Sequence, residues 1–330
     1  VKILPITIKS GDYLSTNSMQ DLIDNKLKFI SETKYIPSWV VNREVSLDTY
    51  YTNPKTAKYC FESLKKILVK KNVNTTQYTF IEPSAGLGSF YRLLPKNRRI
   101  GIDVVKHDKE YIHEEFLSWN PPKDNKKYIA VGNPPFGYRG WLALSFMNKA
   151  SEYCDYVGFI LPKGFTSESK CSPKYRIPNM KLIHSEELPN DIFLNPDGTK
   201  FKANTVWQIW KKRDTPKITK PETYKNDEYI ELHTVDLRPE RLCGLKYMND
   251  YDFFLQRSFF SKPPKIVKKF SDVNYVSGYG FIIKKDKRKI MKILDSTDWT
   301  KHRTLTIHNV SHLSMYHIRN ALRVGGLHDD

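Results

Sequence analysis

The chain has 330 residues, 39% of them hydrophobic and 27% charged, an ordinary balance that excludes whole-chain disorder, a collagen repeat and a disulfide-stapled miniature. No run of about 18 apolar residues occurs, so no membrane-spanning helix is expected, and the opening VKILPITIKSGDYL lacks the basic-then-apolar layout of a secretory leader. Fifty-four Lys and Arg against 36 Asp and Glu leave a formal charge of +18, which points to a polyanionic partner, nucleic acid first; a Lys-, Asn- and Ile-rich coding bias would raise it too.

Residues 19–30 (MQDLIDNKLKFI) carry apolar positions at helical spacing behind Ser18 as an N-cap. The following YIPSWVVNREVSLDTYYTNP reads as irregular or short extended chain, and residues 1–50 are taken as an N-terminal extension. Pro54 suits the first turn of a helix over 55–71, KTAKYCFESLKKILVKK. From Tyr78 a strand–helix alternation begins. The strand TFIEP enters the turn AGLGS, a short helix follows around FYRLL, and RRIGIDVV is the next strand, then YIHEEF. KYIAVG is a buried-type strand that enters NPPF, WLALSFMNKASEY is helical, and YVGFILPKGF, MKLIHSEELP and NTVWQIWKKR are three more strands. Such alternation predicts an α/β domain with a mostly parallel sheet and helices on both faces.

At Lys211 the composition turns Lys-, Pro- and Thr-rich, and residues 213–230 read as a linker. Residues 231–330 form a smaller α+β unit, strand-like over 273–285 and helix-like over 286–299 and 314–324. The catalytic domain is thereby bounded at 51–212. Cys60, Cys154, Cys171 and Cys243 lack CxxC spacing, so they suggest neither zinc nor disulfides and fit a reducing, cytoplasmic compartment. His302, His308, His312 and His317 lack cysteine or paired acids beside them, and no metal site is expected there.

Three short motifs carry chemistry. In Glu82-Pro83-Ser84-Ala85-Gly86-Leu87-Gly88, glycines between strand and helix allow a tight turn and close approach of a ligand to the backbone. Asp103, at the end of the next strand, can accept both hydroxyls of a ribose, which suits an adenosine cofactor. Asn133-Pro134-Pro135-Phe136 ends the buried-type strand. Its prolines stiffen the backbone and leave carbonyls without competing N–H groups, while Asn133 adds a second acceptor and Phe136 a flat apolar face. Two acceptors beside an aromatic ring suit an NH₂ group on a nucleobase.

In this order the motifs resemble the S-adenosylmethionine-dependent amino-methyltransferases, in particular the gamma class of DNA adenine-N6 methyltransferases of bacteria, phages and large DNA viruses. The resemblance covers roughly residues 50–212. It implies a Rossmann-like methyltransferase fold with a seven-stranded sheet, S-adenosylmethionine as cofactor, and residues 231–330 as target-recognition domain. The resemblance assigns Tyr51, Thr52 and Pro54 to closing over the methionine end of the cofactor, and Glu82 to Gly88 to the loop beneath it. Asp103 would hold the ribose, Val104 would pack on the adenine, and Glu115-Phe116 stand where the family carries Asp-Phe. Asn133, Pro134, Pro135 and Phe136 would be catalytic, Asn133 also lying beside the cofactor. Phe193, or else Phe201, would supply a second ring against the target base. The implied substrate is a flipped adenine in double-stranded DNA, with RNA adenine-N6 or rRNA guanine-N2 methylation as the alternative, and a paired restriction endonuclease as possible partner. Lys262, Lys265, Lys268, Lys269, Tyr275, Tyr279, Lys284, Lys285, Lys287 and Arg288 interleave charge with aromatic rings and are the expected DNA-facing stretch.

Overall fold

The computed structural model describes residues 50–169, 172–195, 197–238, 242–306 and 309–329, and the helix expected over 19–30 lies outside them. The chain divides into two units. One runs through Phe165 and adds Pro173–Thr219; the other combines Thr166–Ser172 with the chain from Lys220 onward. The boundary falls inside the stretch read as a linker, and a seven-residue stretch interrupting the first unit, Thr166–Ser172, belongs to the second.

The first unit begins with β1 (Tyr51–Thr52) and α1 (Pro54–Lys70). Asn53 caps α1 by accepting the Lys55 N–H at 2.9 Å, and Pro54 takes the first-turn position where no N–H is missed. Ala57, Cys60, Phe61, Leu64 and Leu68 form the buried stripe of this helix. A seven-stranded sheet follows, made of β2 (Tyr78–Glu82), β3 (Arg99–Asp103), β4 (Ile112–His113), β5 (Lys127–Gly132), β6 (Cys154–Pro162), β7 (Met180–Glu187) and, after β8 (Phe193–Leu194) and β9 (Lys200–Phe201), β10 (Thr205–Lys212). Its order is β4-β3-β2-β5-β6-β10-β7. The pairs from β4 to β6 are parallel, and β10 runs antiparallel to both β6 and β7.

Buried runs explain the centre of this sheet. Every residue of β6 except Asp155 is buried, and so are the first six of β10, which lies between two strands. Gly158 leaves room for the Trp207 indole, since a Cβ there would come within 2.8 Å of the ring. The edge strand β7 is only half-buried and carries Lys181, Glu186 and Glu187, charges that discourage further pairing. Helix α2 (Trp141–Tyr153) is buried on nearly every side, as its apolar composition requires.

Helical cover is thinner than the alternation predicts. Only the β5–β6 connection of this sheet carries an α-helix among the described residues; β2–β3 and β6–β7 are linked through 3₁₀ turns. FYRLL stops at a single turn because Leu94 precedes Pro95 and is forced extended.

The second unit holds two small antiparallel sheets. One is ordered β11 (Ile230–Asp236), β14 (Ser277–Ile283), β12 (Phe253–Gln256), and the other β13 (Ser258–Phe259), β16 (Ser311–His312), β15 (Thr304–Leu305). Helices α3 (Lys287–Ser296) and α4 (Met315–Val324) complete a core around Phe253, Phe281, Ile290, Leu294, Trp299 and Ile318.

Candidate active site

Strands β3, β2 and β5 are adjacent and parallel, so their carboxyl ends lie side by side. The chain leaves β2 toward one edge through β3 and returns to its other side at β5. Crevices for ligands in open α/β sheets form at such switch points, outside the carboxyl ends. All three motifs fall there: Glu82 ends β2, Asp103 ends β3, and Asn133 follows the last residue of β5.

The Gly-rich turn is fixed by its neighbours. Gly86 (φ +48°) and Gly88 (φ +77°) adopt left-handed backbone, which glycine reaches without strain. The Gly86 N–H donates to Asp103 Oδ2 at 2.7 Å, and the Val105 N–H to Oδ1 at 2.8 Å. Burial pushes the Asp103 carboxyl up, and these two N–H groups pull it back. Each carboxylate oxygen retains a further lone pair, so the acid that pins the turn can still accept hydroxyls. Ser84 Oγ donates to the Asn133 carbonyl at 3.0 Å, joining the first motif to the third.

Glu82 is 2% exposed. Burial drives its carboxyl well above the ordinary range, against the N–H groups of Tyr91 and Phe90, which favour the charged form. Its Oε2 is buried without a hydrogen-bond partner. Gly132 keeps the space beside it open, since a Cβ there would sit 3.3 Å from Glu82 Cγ.

Asn133 Oδ1 is likewise buried with no partner. Among the described residues no N–H reaches the Pro134 carbonyl, and Pro134 is buried. The Phe136 carbonyl accepts the N–H groups of Leu142 and Ala143 at 3.2 and 3.3 Å, so the first turn of α2 holds the Pro-Pro-Phe corner in place. Gly137 (φ +64°) closes it, at a position where a Cβ would meet that of Leu142 at 2.7 Å.

A three-stranded sheet, β1-β8-β9, brings in the remaining segments. Thr52 pairs with Phe193 and Phe193 with Phe201, while Ser89 Oγ donates to the Thr52 carbonyl at 2.6 Å. Tyr51 lies against Gly86, its Cδ1 3.4 Å from where a Cβ would be. Phe193 meets Phe136 edge to face, with centroids 6.0 Å apart and planes at 81°. Such a pair contributes about 0.5–1.5 kcal/mol beyond area burial and forms a corner of two aromatic walls.

The other expected site residues have different surroundings. Phe201 stacks face to face on Tyr50 at 3.8 Å, so Phe193 is the ring gathered to Phe136. Phe116 is 1% exposed and packs among Trp119, Phe146 and Tyr153. Glu115 opens a turn in which its carbonyl accepts the N–H groups of Ser118 and Trp119. The pattern reading missed Tyr111, whose hydroxyl lies 2.7 Å from where a Gly88 Cβ would be. Tyr111 carries no sequence signal, because it acts through a contact set by distant backbone. Ser89, the last residue of the AGLGS turn, was in view, but its bond to Thr52 was not.

No protein-family model matches this chain, and no curated protein does. Among solved structures it is similar to a Pyrococcus horikoshii protein described as a candidate RNA methyltransferase, at 18% identity and a TM-score of 0.35, over 56% of this chain and 96% of that one. It is also similar to the 23S rRNA methyltransferase ErmE, at 11% identity and a TM-score of 0.28, over 42% of this chain and 62% of that one. A third is the N-methyltransferase NodS of Bradyrhizobium japonicum WM9 in complex with S-adenosyl-l-homocysteine, at 10% identity and a TM-score of 0.32, over 60% of this chain and all of that one. The chain's own strand order, with β10 antiparallel between β6 and β7, defines the class: a Rossmann-like methyltransferase fold.

Proposed function

We propose that this chain transfers a methyl group from S-adenosylmethionine to the N6 amine of adenine in DNA. The observation that carries the reading is the buried, unpartnered Asn133 Oδ1 beside the bare Pro134 carbonyl. A buried acceptor without a donor costs roughly 1–3 kcal/mol. It is retained where a substrate group supplies the missing hydrogen. Two such acceptors on one rigid corner match the two hydrogens of an exocyclic amine.

The residues fit the cofactor. The turn over Glu82–Gly88 brings backbone close at two glycines, Asp103 has lone pairs left for the ribose hydroxyls, and Glu82 Oε2 awaits a donor such as an ammonium group. When bound, S-adenosylmethionine supplies an electrophilic methyl on a sulfonium. Asn133 Oδ1 and the Pro134 carbonyl hold the amine hydrogens, favour a pyramidal nitrogen and aim its lone pair. This is positioning and electrostatic preorganisation. The motif holds no His or Asp base, and the nitrogen's proton, made acidic by attack, leaves to water.

In a duplex the target must leave the stack, at a cost of a few kcal/mol. The corner of Phe136 and Phe193 offsets part of this by about 1–3 kcal/mol per stacked base. The test is transfer of a labelled methyl to unmodified duplex DNA and to structured RNA, followed by nucleoside mass spectrometry. N6-methyladenine in DNA supports the proposal. Product in RNA alone moves the substrate to RNA and keeps the chemistry. No product in either, with S-adenosylhomocysteine bound, overturns it.

A further inference from the structure

The lysines of the second unit fall into two groups. Lys285 pairs with Glu228 at 2.6 Å, Lys287 pairs with Asp252, and Lys284 donates to the Asp227 carbonyl. Lys262, Lys265, Lys268 and Lys269 are all exposed, and no hydrogen bond or ion pair among the described residues engages their side chains. Between Phe253 and Lys285 there are seven basic residues against one acid, Asp272. Four positive charges thus stand within eight residues of chain, none of them in an ion pair among the described residues.

The segment that presents them is anchored. Val267 and Phe254 exchange both backbone hydrogen bonds, at 2.7 and 2.9 Å. Pro264 is buried, and Ile266 and Val267 pack against the two apolar clusters of this unit. Pro263-Pro264 stiffens the entry. Lysines thus point outward from a backbone held inward. At either end stands an exposed aromatic ring, Phe260 at 70% and Phe270 at 43%. Phe270 also lies against the Phe254 ring, centroids 5.6 Å apart, which fixes its position, whereas Phe260 stands open. Single exposed rings are ordinary, but two that flank unpaired lysines point to a partner with both negative charge and flat apolar faces.

We propose that residues 260–270 are a nucleic-acid-binding surface, on which the four lysines hold phosphates and Phe260 and Phe270 take the faces of unstacked bases. A paired, stacked base offers no free face, so the surface favours a duplex carrying an unpaired nucleotide over a perfect one. The inference deepens the reading of the first unit as a nucleic-acid methyltransferase and rests on it for the identity of the bound polymer. The surface itself stands on the second unit's own residues. Tyr279, expected to face DNA, is excluded from it: it is 3% exposed and its hydroxyl donates to the Leu313 carbonyl.

The test measures binding of the full chain to a labelled DNA duplex and to the same duplex with one bulged base, across a salt series. Replacing Lys262, Lys265, Lys268 and Lys269 together by Gln should weaken binding to both at least about ten-fold and lower the salt slope by about 3 to 4. F260A alone should leave the slope unchanged and reduce the preference for the bulged duplex by about five- to 150-fold. Both changes fall on exposed side chains, so the folded chain persists, and an unchanged melting curve checks this. Wild-type binding by both variants, or no nucleic-acid binding by the wild type, overturns the surface. A wild type that binds through these residues, binds S-adenosylhomocysteine and yet methylates nothing overturns the catalytic reading and leaves the surface standing.

Discussion

The two units solve the same problem, presenting polar groups to a ligand, by opposite means. In the first unit the groups are buried and few. Glu82 Oε2 and Asn133 Oδ1 sit without partners at the carboxyl ends of neighbouring parallel strands. In the second they are exposed and many, and the lysines of residues 262–269 rise from a pinned segment with one acid nearby. Buried acceptors are expensive and therefore specific, since only a ligand that supplies hydrogens in the right place recovers the cost. Exposed lysines cost little and discriminate little, contributing attraction that salt screens.

The largest expected effect separates the two. Asn133→Ala should lower methyl transfer by about 10²- to 10³-fold, the size seen when one preorganised polar group is removed from a reacting centre. S-adenosylhomocysteine binding and nucleic-acid affinity should stay near wild type. A parallel loss of nucleic-acid affinity would show that Asn133 contributes grip and would blur the comparison.

A second prediction concerns the scaffold beneath the site. Gly158→Ala forces a methyl to within 2.8 Å of the Trp207 ring, in a sheet centre where both residues are buried. Overpacking of this kind costs about 1–3 kcal/mol. Thermal unfolding should begin earlier, while the salt dependence of nucleic-acid binding, set by the second unit's lysines, keeps its slope. A changed slope would mean that the two functions are not separable in this way.

These contrasts track what the sequence made legible. Strand runs such as FILP in β6 and IAVG in β5 are apolar over their whole length, so buried parallel strands could be read locally. The motifs could be read because each is a short stretch whose residue types are dictated by a strand end. The pairing of Phe193 with Phe136 could not. It depends on β8 folding onto β1, where Phe193 pairs with the distant Thr52, a contact with no local signature. Helical cover over the sheet is thinner than strand alternation alone implies, because Pro95 limits FYRLL to one turn. In the second unit the interleaving of Lys and Tyr was visible, but which lysines already have acids was not. Lys285 and Lys287 find theirs at Glu228 and Asp252, the former 57 residues away.

The smallest effect tests the other buried acceptor. Burial raises the Glu82 carboxyl well above its ordinary value, so the folded chain holds a proton there that the unfolded chain releases. Its contribution to stability is full below the unfolded carboxylate range and declines as pH rises above it toward the raised value. Glu82→Gln mimics the protonated form, so it should melt higher than wild type at pH 8 and converge with it near pH 4. Binding a cationic ammonium beside Oε2 would favour the carboxylate and expel the proton. Titration of S-adenosylhomocysteine in buffers of differing ionisation enthalpy should therefore report proton release by the wild type and none by Glu82→Gln. Equal release by both would place the cofactor's charged end elsewhere in the crevice, and Asn133 would then remain the sole orphaned acceptor assigned a ligand.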